Sequence, residues 1–316
     1  MTTPGPARQC GVALVTALLV VSLATMAAVA MATRQHVDVR RTANLLHGEQ
    51  AYAYAIAAES WAQVILRYDI EDSRIDTLEE DWATALPPIS VEGGFVNGRI
   101  TDQQGRFNIN NLLGENGDPS IADLEYFRRL LAVLELDPAI AVALLDWLDA
   151  NIDASFPDGA EDGAYLLAEP PYRAANRKMV SISELRLVKG FTPEVMAALA
   201  PHVTALPERT TINVNTATLE VLQALHAELT ATGAGALIEG RGEEGYVDKN
   251  TFLAVDALAG LELDVAVDVT SDWFRVLTDV TVGSGRATLA SLLRRQDNTT
   301  QIVSRIRSQA QLLPPE

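Results

Sequence analysis

The chain has 316 residues, with 42 acidic against 24 basic side chains and a formal net charge of −18. So negative a surface disfavours nucleic acid and anionic lipid faces, which rely on clustered Lys and Arg, and it suits divalent cations. The single cysteine, Cys10, comes before the long apolar segment, which excludes a disulfide framework and disfavours lipoprotein acylation, where the apolar segment comes first.

In chain order, Gly11 abuts an uncharged run, Val12 to Thr33, that is about 33 Å long as a helix against a hydrocarbon core of roughly 30 Å. It is long enough to span a membrane once. Ala30-Met31-Ala32 has the small-residue pattern of a secretory cleavage site, but the apolar run is longer than a signal peptide needs. An uncleaved anchor is a second reading. The third is a prepilin-like leader: RQCG followed by VALVTALLVV resembles the type IV pilin signal, which is cut between Gly11 and Val12 and leaves the helix attached. Thr16 then occupies the fifth mature position, where most pilins of this class carry glutamate. Arg34, Arg40 and Arg41 follow the run while only Arg8 and the amino terminus precede it, so the positive-inside rule favours the opposite orientation to the one the leader requires.

From Val37 to Tyr68 the lack of proline predicts that the helix continues, with Tyr54, Ala58, Trp61 and Ile65 as its packing face and Leu45, Tyr52 and Ile56 nearby. Asp69 to Asp81 is charged and aperiodic and reads as a linker that Pro87-Pro88 ends. Residues 93–112 read as a β-meander with turns at Asn97-Gly98 and Gln104-Gly105. Ser120 with Asp123 opens a helix through Leu136, and Asp137-Pro138 starts the next. Ser181 with Glu184 forms a capping box, and Thr192-Pro193 begins another short helix. TINVNTATLEVLQAL (211–225) is a short strand running into a helix. A small helical unit follows to about Asp264, with Gly233, Gly235, Gly240 and Gly242 marking loops. Residues 273–295 are β-rich around Gly283-Ser284-Gly285, and Gln301 to Ile306 adds an edge strand. This order predicts an α+β fold with a helical insert between sheet segments.

The best chemical constellation lies in residues 146–179. Asp146, Asp149, Asp153, Asp158, Glu161 and Asp162 crowd together with no lysine or arginine between Arg129 and Arg173. Carboxylates this close repel one another, and a hard cation that takes six to eight oxygens removes the penalty, so calcium is the expected ligand. Asp149, Asn151 and Asp153 mimic the start of an EF-hand loop, but Ala154 replaces its glycine and Glu161 falls one place late. A solvated acidic loop is the alternative. INVNTATLEVLQAL with LIEGRGEEGYVDKNTFLAV resembles a helix-hairpin-helix module of competence-type DNA-binding proteins, yet Glu228, Glu239, Glu243, Glu244 and Asp248 stand where phosphate contacts would need basic groups. A scaffold of the same shape is the better reading. His36, His47, His202 and His226 form no metal pair, and no P-loop, nucleophile elbow or later cysteine is present, so an enzyme is not expected.

Taken in order, the Gly11–Val12 junction, Thr16, QHVDVRRTANLLHGEQAYAYAIAAESWA (35–62), GRITDQQGRFNINNL, the acidic loop, PPYRAANR and INVNTA resemble the K-type minor pseudopilin of type II secretion systems along nearly the whole chain. The resemblance implies a leader (1–11), a membrane-spanning helix (12–33) with a periplasmic continuation (34–68), and a pilin-like antiparallel sheet formed by 69–111 and 266–316. Between these it implies an inserted helical domain (112–208) and a second SAM-like unit (209–265). It further implies that the insert binds one or more calcium ions in a D-W-x-D…G-A-E-D-x-x-Y region, matched by Asp146, Trp147, Asp149, Gly159, Ala160, Glu161, Asp162 and Tyr165. The implied protein is a non-enzymatic, single-pass inner-membrane protein with a periplasmic ectodomain, processed by a prepilin peptidase. It would join I- and J-type minor pseudopilins at the pseudopilus tip, initiate assembly on the inner-membrane platform and support export across the outer membrane, without nucleic acid. The residues alone leave two further readings, a membrane-anchored DNA-uptake receptor and a secreted calcium-binding domain.

Overall fold

The structure, a computed structural model, describes residues 10–84, 87–296 and 299–308. With no proline to break it, helix α1 runs unbroken over Cys10–Asp72. Its apolar first part is long and apolar enough to cross a membrane. The few polar side chains there are satisfied within the helix: the hydroxyls of Ser22, Thr25 and Thr33 donate to carbonyls one turn back. The expected leader residues 1–9 lie outside the described residues.

The remaining elements in chain order are β1 (Ile89–Val91), β2 (Gly94–Asp102), β3 (Phe107–Asn108), α2 (Ile121–Val133), α3 (Ile140–Leu148), α4 (Asp162–Tyr165) and α5 (Pro193–Leu199). They continue with β4 (Val203–Thr204), β5 (Ile212–Asn213), α6 (Leu219–Gln223), α7 (Ala231–Arg241), α8 (Lys249–Leu253), β6 (Val267–Asp268), β7 (Trp273–Val282), β8 (Gly285–Gln296) and β9 (Thr299–Ser308). The fold is α+β. An antiparallel five-stranded sheet in the order β1-β2-β7-β8-β9 packs one face on α1.

The face of α1 that enters the sheet is rotated from the expected one. Ala51, Ala55, Glu59, Ala62 and Leu66 are buried, whereas Trp61 is 49% exposed and Tyr54, Ala58 and Ile65 only flank the contact. Small side chains win here because they let the helix axis approach the strands. Glu59, with 0% exposure, is the one charge on that stripe. Its carboxylate takes two donors from Arg305, at 2.6 and 2.8 Å, and the hydroxyl of Ser291, so the charge is paired as burial demands.

Asn97-Gly98 makes no turn. Both residues lie inside β2, opposite Asp279 and Thr278, because pairing along the full length of β7 overrides the local dipeptide preference. The turn falls at Glu92-Gly93, where Gly93 has φ +80°. Gln104-Gly105 does turn, with both backbone N–H groups donating to Asp102, at 2.7 and 2.9 Å. Gly283-Ser284 forms the β7–β8 hairpin and β9 is the edge strand. Within the insert, Ser120, Thr192 and Thr218 cap helices, and Ser181 with Glu184 makes a capping box on a 3₁₀ turn. The Asp137 side chain accepts from the Ala139 N–H, and α3 begins two residues beyond Pro138. Gly233, Gly235 and Gly240 lie inside α7, not in loops. A Cβ at Gly240 would come within 2.4 Å of the Tyr246 hydroxyl, so the glycine admits a packed ring. Only Gly242 ends the helix.

Residues 69–81 are no linker. Asp76 is buried and Asp69 half-buried as counterions of Arg295, which is 4% exposed. Arg295 donates at 2.7 Å to Asp69, at 2.6 Å to Asp76 and at 2.9 Å to the Ser271 carbonyl, and stacks over the Phe274 ring. Burial pushes both carboxyls above their ordinary range while the guanidinium pulls them back. Asp76 also accepts from Ser271 N–H at 2.7 Å, and Asn213 bridges Asp76 and Ser271.

This hub marks the end of the sheet from which the insert leaves. Residues 103–272 depart after Asp102 and return before Trp273, beside the C-terminal end of α1. The opposite end of the sheet is the Gly283-Ser284 turn, whose serine bonds Asn44 and His47 nearer the apolar segment. Parallel pairing of β3 with β4 closes one helical unit, and of β5 with β6 a second, over a common apolar core. Phe107 and Ile109, read with the sheet from sequence, belong to that core.

Removing the guanidinium while both carboxylates stay buried is strongly unfavourable. Arg295→Leu should lower the unfolding free energy in urea by about 3–5 kcal/mol. Adding Asp69→Asn and Asp76→Asn should restore part of that loss.

Candidate metal centre

Helix α3 delivers Asp146 on its last turn and ends at Leu148 with Asp149 as its C-cap, and the chain then makes a tight loop before α4. Asp146, with 0% exposure, organises that loop: one oxygen accepts from the N–H groups of Ser155 and Ala160, both at 2.9 Å. Gly159 N–H closes the turn onto the Ser155 carbonyl at 2.7 Å. A Cβ on Gly159 would sit 2.1 Å from the Asp146 carboxylate, so only glycine fits. Asp149 accepts from Asn151 N–H at 3.1 Å, and Asn151 from Asp153 N–H at 2.8 Å.

The other Asp146 oxygen has no partner, and neither oxygen of Glu161, 5% exposed, has one. Burial, then Asp146 and Asp149, push the Glu161 carboxyl up to about 7, and burial also raises Asp149. Buried carboxylate oxygens without donors are rare and costly. Their arrangement fits a hard cation, whose oxygen ligands need no hydrogen-bond donor. Trp147, Tyr165 and Tyr172 wall the loop with ring contacts of 5.1 to 6.3 Å.

The structure thus brings three of the six expected acids together in buried positions: Asp146, Asp149 and Glu161. Asp153 and Asp158 are exposed at the rim. Asp162 turns partly away, accepting from Ala174 N–H at 3.1 Å and pairing with Arg173 at 3.2 Å. Sequence reasoning missed Asn176. It has φ +45°, donates to the Asn151 carbonyl at 2.8 Å, and keeps its own buried amide oxygen unpartnered. Asparagine tolerates that backbone region, so an Asn in a proline-flanked loop was the available signal. A tighter acidic convergence exists elsewhere, with one oxygen each of Asp69, Asp76 and Glu80 within 4.8 Å of one another. It needs no metal: Arg295 occupies the two aspartates, and Glu80 accepts from Trp82 Nε1 at 2.8 Å and Thr77 N–H at 2.9 Å.

Two N–H groups of the hairpin between α6 and α7 are spent internally. Glu228 N–H donates to His226 Nδ1 and Leu229 N–H to the His226 carbonyl, both at 3.1 Å. A phosphate cradle needs such groups free. At the other end of the molecule Thr16 is exposed and donates its hydroxyl to the carbonyls of Val12 and Ala13, at 3.1 and 3.0 Å.

Two family models describing type II secretion system protein K match residues 105–208 and 212–271. Those ranges follow the two strand-closed units of the insert. Type II secretion system protein K of Pseudomonas aeruginosa is 38% identical over 97% of this chain and 95% of its own length. Its counterpart in Aeromonas hydrophila is 32% identical over 98% of this chain and 100% of its own length. Among solved structures, a chain from the GspK-GspI-GspJ complex of the enterotoxigenic Escherichia coli type 2 secretion system superposes with a TM-score of 0.76 at 28% identity, covering 85% of this chain and 100% of that one. Helix, sheet and two-part insert agree with these matches, and the chain belongs to the protein K family of type II secretion systems.

Proposed function

We propose that this minor pseudopilin caps the periplasmic tip of a pseudopilus, joined to I- and J-type minor pseudopilins, and that calcium sets the loop of its insert. The observation that carries the tip reading is where the insert leaves the sheet. It departs beside Asp69, roughly 54 Å up the helix from Thr33, and not at the Gly283-Ser284 end. A bulky helical body on that end obstructs a further subunit above. Thr16 supports the same position. A glutamate at the fifth mature position can neutralise the amine of a subunit above it, in a low dielectric where the interaction is strong. With no such subunit a carboxylate would face hydrocarbon unpaired, whereas the Thr16 hydroxyl is already satisfied by its own helix.

In this reading a prepilin peptidase cuts between Gly11 and Val12, α1 stays in the inner membrane, and the folded domain lies in the periplasm. The tip complex then initiates pseudopilus assembly on the inner-membrane platform and supports export across the outer membrane. The role is structural. Asp146, Asp149, Glu161 and Asn176 hold the cation, with Asp153, Asp158 and Asp162 at the rim. The ion supplies the positive charge that the loop lacks and ties α3 to α4.

Cross-linking from Thr16 in membranes that contain the I- and J-type proteins tests the tip position. No adduct to the N-terminal residue of another subunit is expected, and finding one would refute it. Calcium at a hundred times its dissociation constant should stabilise the chain by about 2.7 kcal/mol, read as a rise in melting temperature that chelation reverses. Glu161→Gln should abolish that calcium-dependent rise while raising the melting temperature of the chelated protein, because it removes an uncompensated buried charge. Absence of any calcium shift in the wild-type chain would reduce the loop to solvated surface.

A further inference from the structure

Between the apolar segment and the folded domain, α1 carries a bare neck. Every residue from Val12 to Thr42 is exposed, and the first contact with the sheet is made by Asn44 and His47. Three arginines lie in this neck, Arg34, Arg40 and Arg41, against one acid, Asp38. Among the described residues none of the three guanidiniums has a carboxylate within 4.0 Å. The charge is therefore uncompensated by the chain, and it stands at the membrane end of a molecule whose net charge is −18.

We propose that this neck binds the anionic headgroups of the leaflet on the side of the folded domain. The proposal rests on α1 spanning the membrane and is independent of the tip position and of calcium. The headgroup layer is about 5–7 Å deep on each side of the hydrocarbon. Arg34 adjoins Thr33 at the edge of the apolar run and falls within that layer. Arg40 and Arg41 start roughly 10–12 Å above Thr33. Helical side chains lean toward the N-terminus, which here is toward the membrane, so their long stems reach back to the headgroups. Seven residues put Arg34 and Arg41 on one face of the helix, and Arg40 points about 100° away. The neck thus meets lipid on two sides. A planar guanidinium pairs with phosphate through two parallel N–H donors, which fits a lipid phosphodiester. The same arginines are the ones that violate the positive-inside rule for a leader on the cytoplasmic side. Headgroup binding gives them a role after insertion, instead of a role in setting topology.

The test uses the full chain reconstituted in phosphatidylcholine bilayers that contain spin-labelled phosphatidylglycerol or spin-labelled phosphatidylcholine. The motionally restricted fraction of each label gives their relative association with the protein. The wild-type chain should prefer phosphatidylglycerol, by roughly fivefold for each arginine in contact. Arg34→Gln, Arg40→Gln and Arg41→Gln combined should remove the preference, while the corresponding triple Lys variant should keep most of it. The thermal transition of the folded domain should be unchanged in both, since the neck touches no strand. Equal retention of the two lipids by the wild type, or a preference that survives the triple Gln variant, would overturn the proposal. Inorganic phosphate added at constant ionic strength separates lipid from free anion. The preference should persist, and its loss would assign the arginines to a soluble phosphate instead.

Discussion

A guanidinium held out of water fixes the relative position of almost everything else in the ectodomain. Arg295 can keep its charge only if the end of α1 supplies Asp69, the following segment supplies Asp76, and the returning insert supplies the Ser271 carbonyl. Each of those groups is far from Arg295 in sequence. Burying such a cluster adds little net stability, since desolvation offsets most of the attraction. Its effect is on specificity: a misplaced helix end or a slipped strand leaves a bare charge in the interior. The neighbouring Asp102 acts in the same way toward the first turn of the insert, through Gln104, Gly105 and Thr216.

The chain therefore contains two acidic clusters that solve the same electrostatic problem differently. At the sheet the counterion is part of the polypeptide: Asp69 accepts from Arg295, and Asp76 accepts from Arg295 and the Ser271 N–H. In the insert, Asp146 spends one oxygen on the backbone of its own loop, and the remaining oxygens of Asp146 and Glu161 meet no donor at all. Covalent counterions give a cluster that is set when the chain folds. With the proposed cation as its counterion, the loop would instead take a shape that depends on what the surrounding solution contains.

How much of this was legible in the sequence depends on the range of the interaction. Caps at Ser120, Ser181 and Thr192 and the Gly283-Ser284 hairpin are readable because each is decided within four residues. Asn97-Gly98 misled because the pairing that straightens it comes from Asp279 and Thr278. The packing face of α1 was drawn through its bulky residues, while the close approach of helix to sheet selects Ala51, Ala55 and Ala62. Residues 69–81 looked like a solvated linker because their partner, Arg295, lies on β8. In the loop, the crowding of acids was visible, but which three are buried, and the participation of Asn176, depended on how α3 and the turn at Gly159 orient them.

The insert is attached at adjacent positions of neighbouring antiparallel strands, where Asp102 stands opposite Phe274. Departure and return thus occupy the site where an ordinary hairpin would place its turn. The sheet needs nothing from the insert to continue its ladder across β2 and β7, and the insert completes its own core between two short parallel pairs. Such an arrangement allows evolution to enlarge or trade the helical body without disturbing the strand order, provided that the Ser271 carbonyl keeps its place at the Arg295 hub. In this sense the architecture is a pilin-like stalk with a socket, and what the socket holds can change while the stalk keeps its ladder.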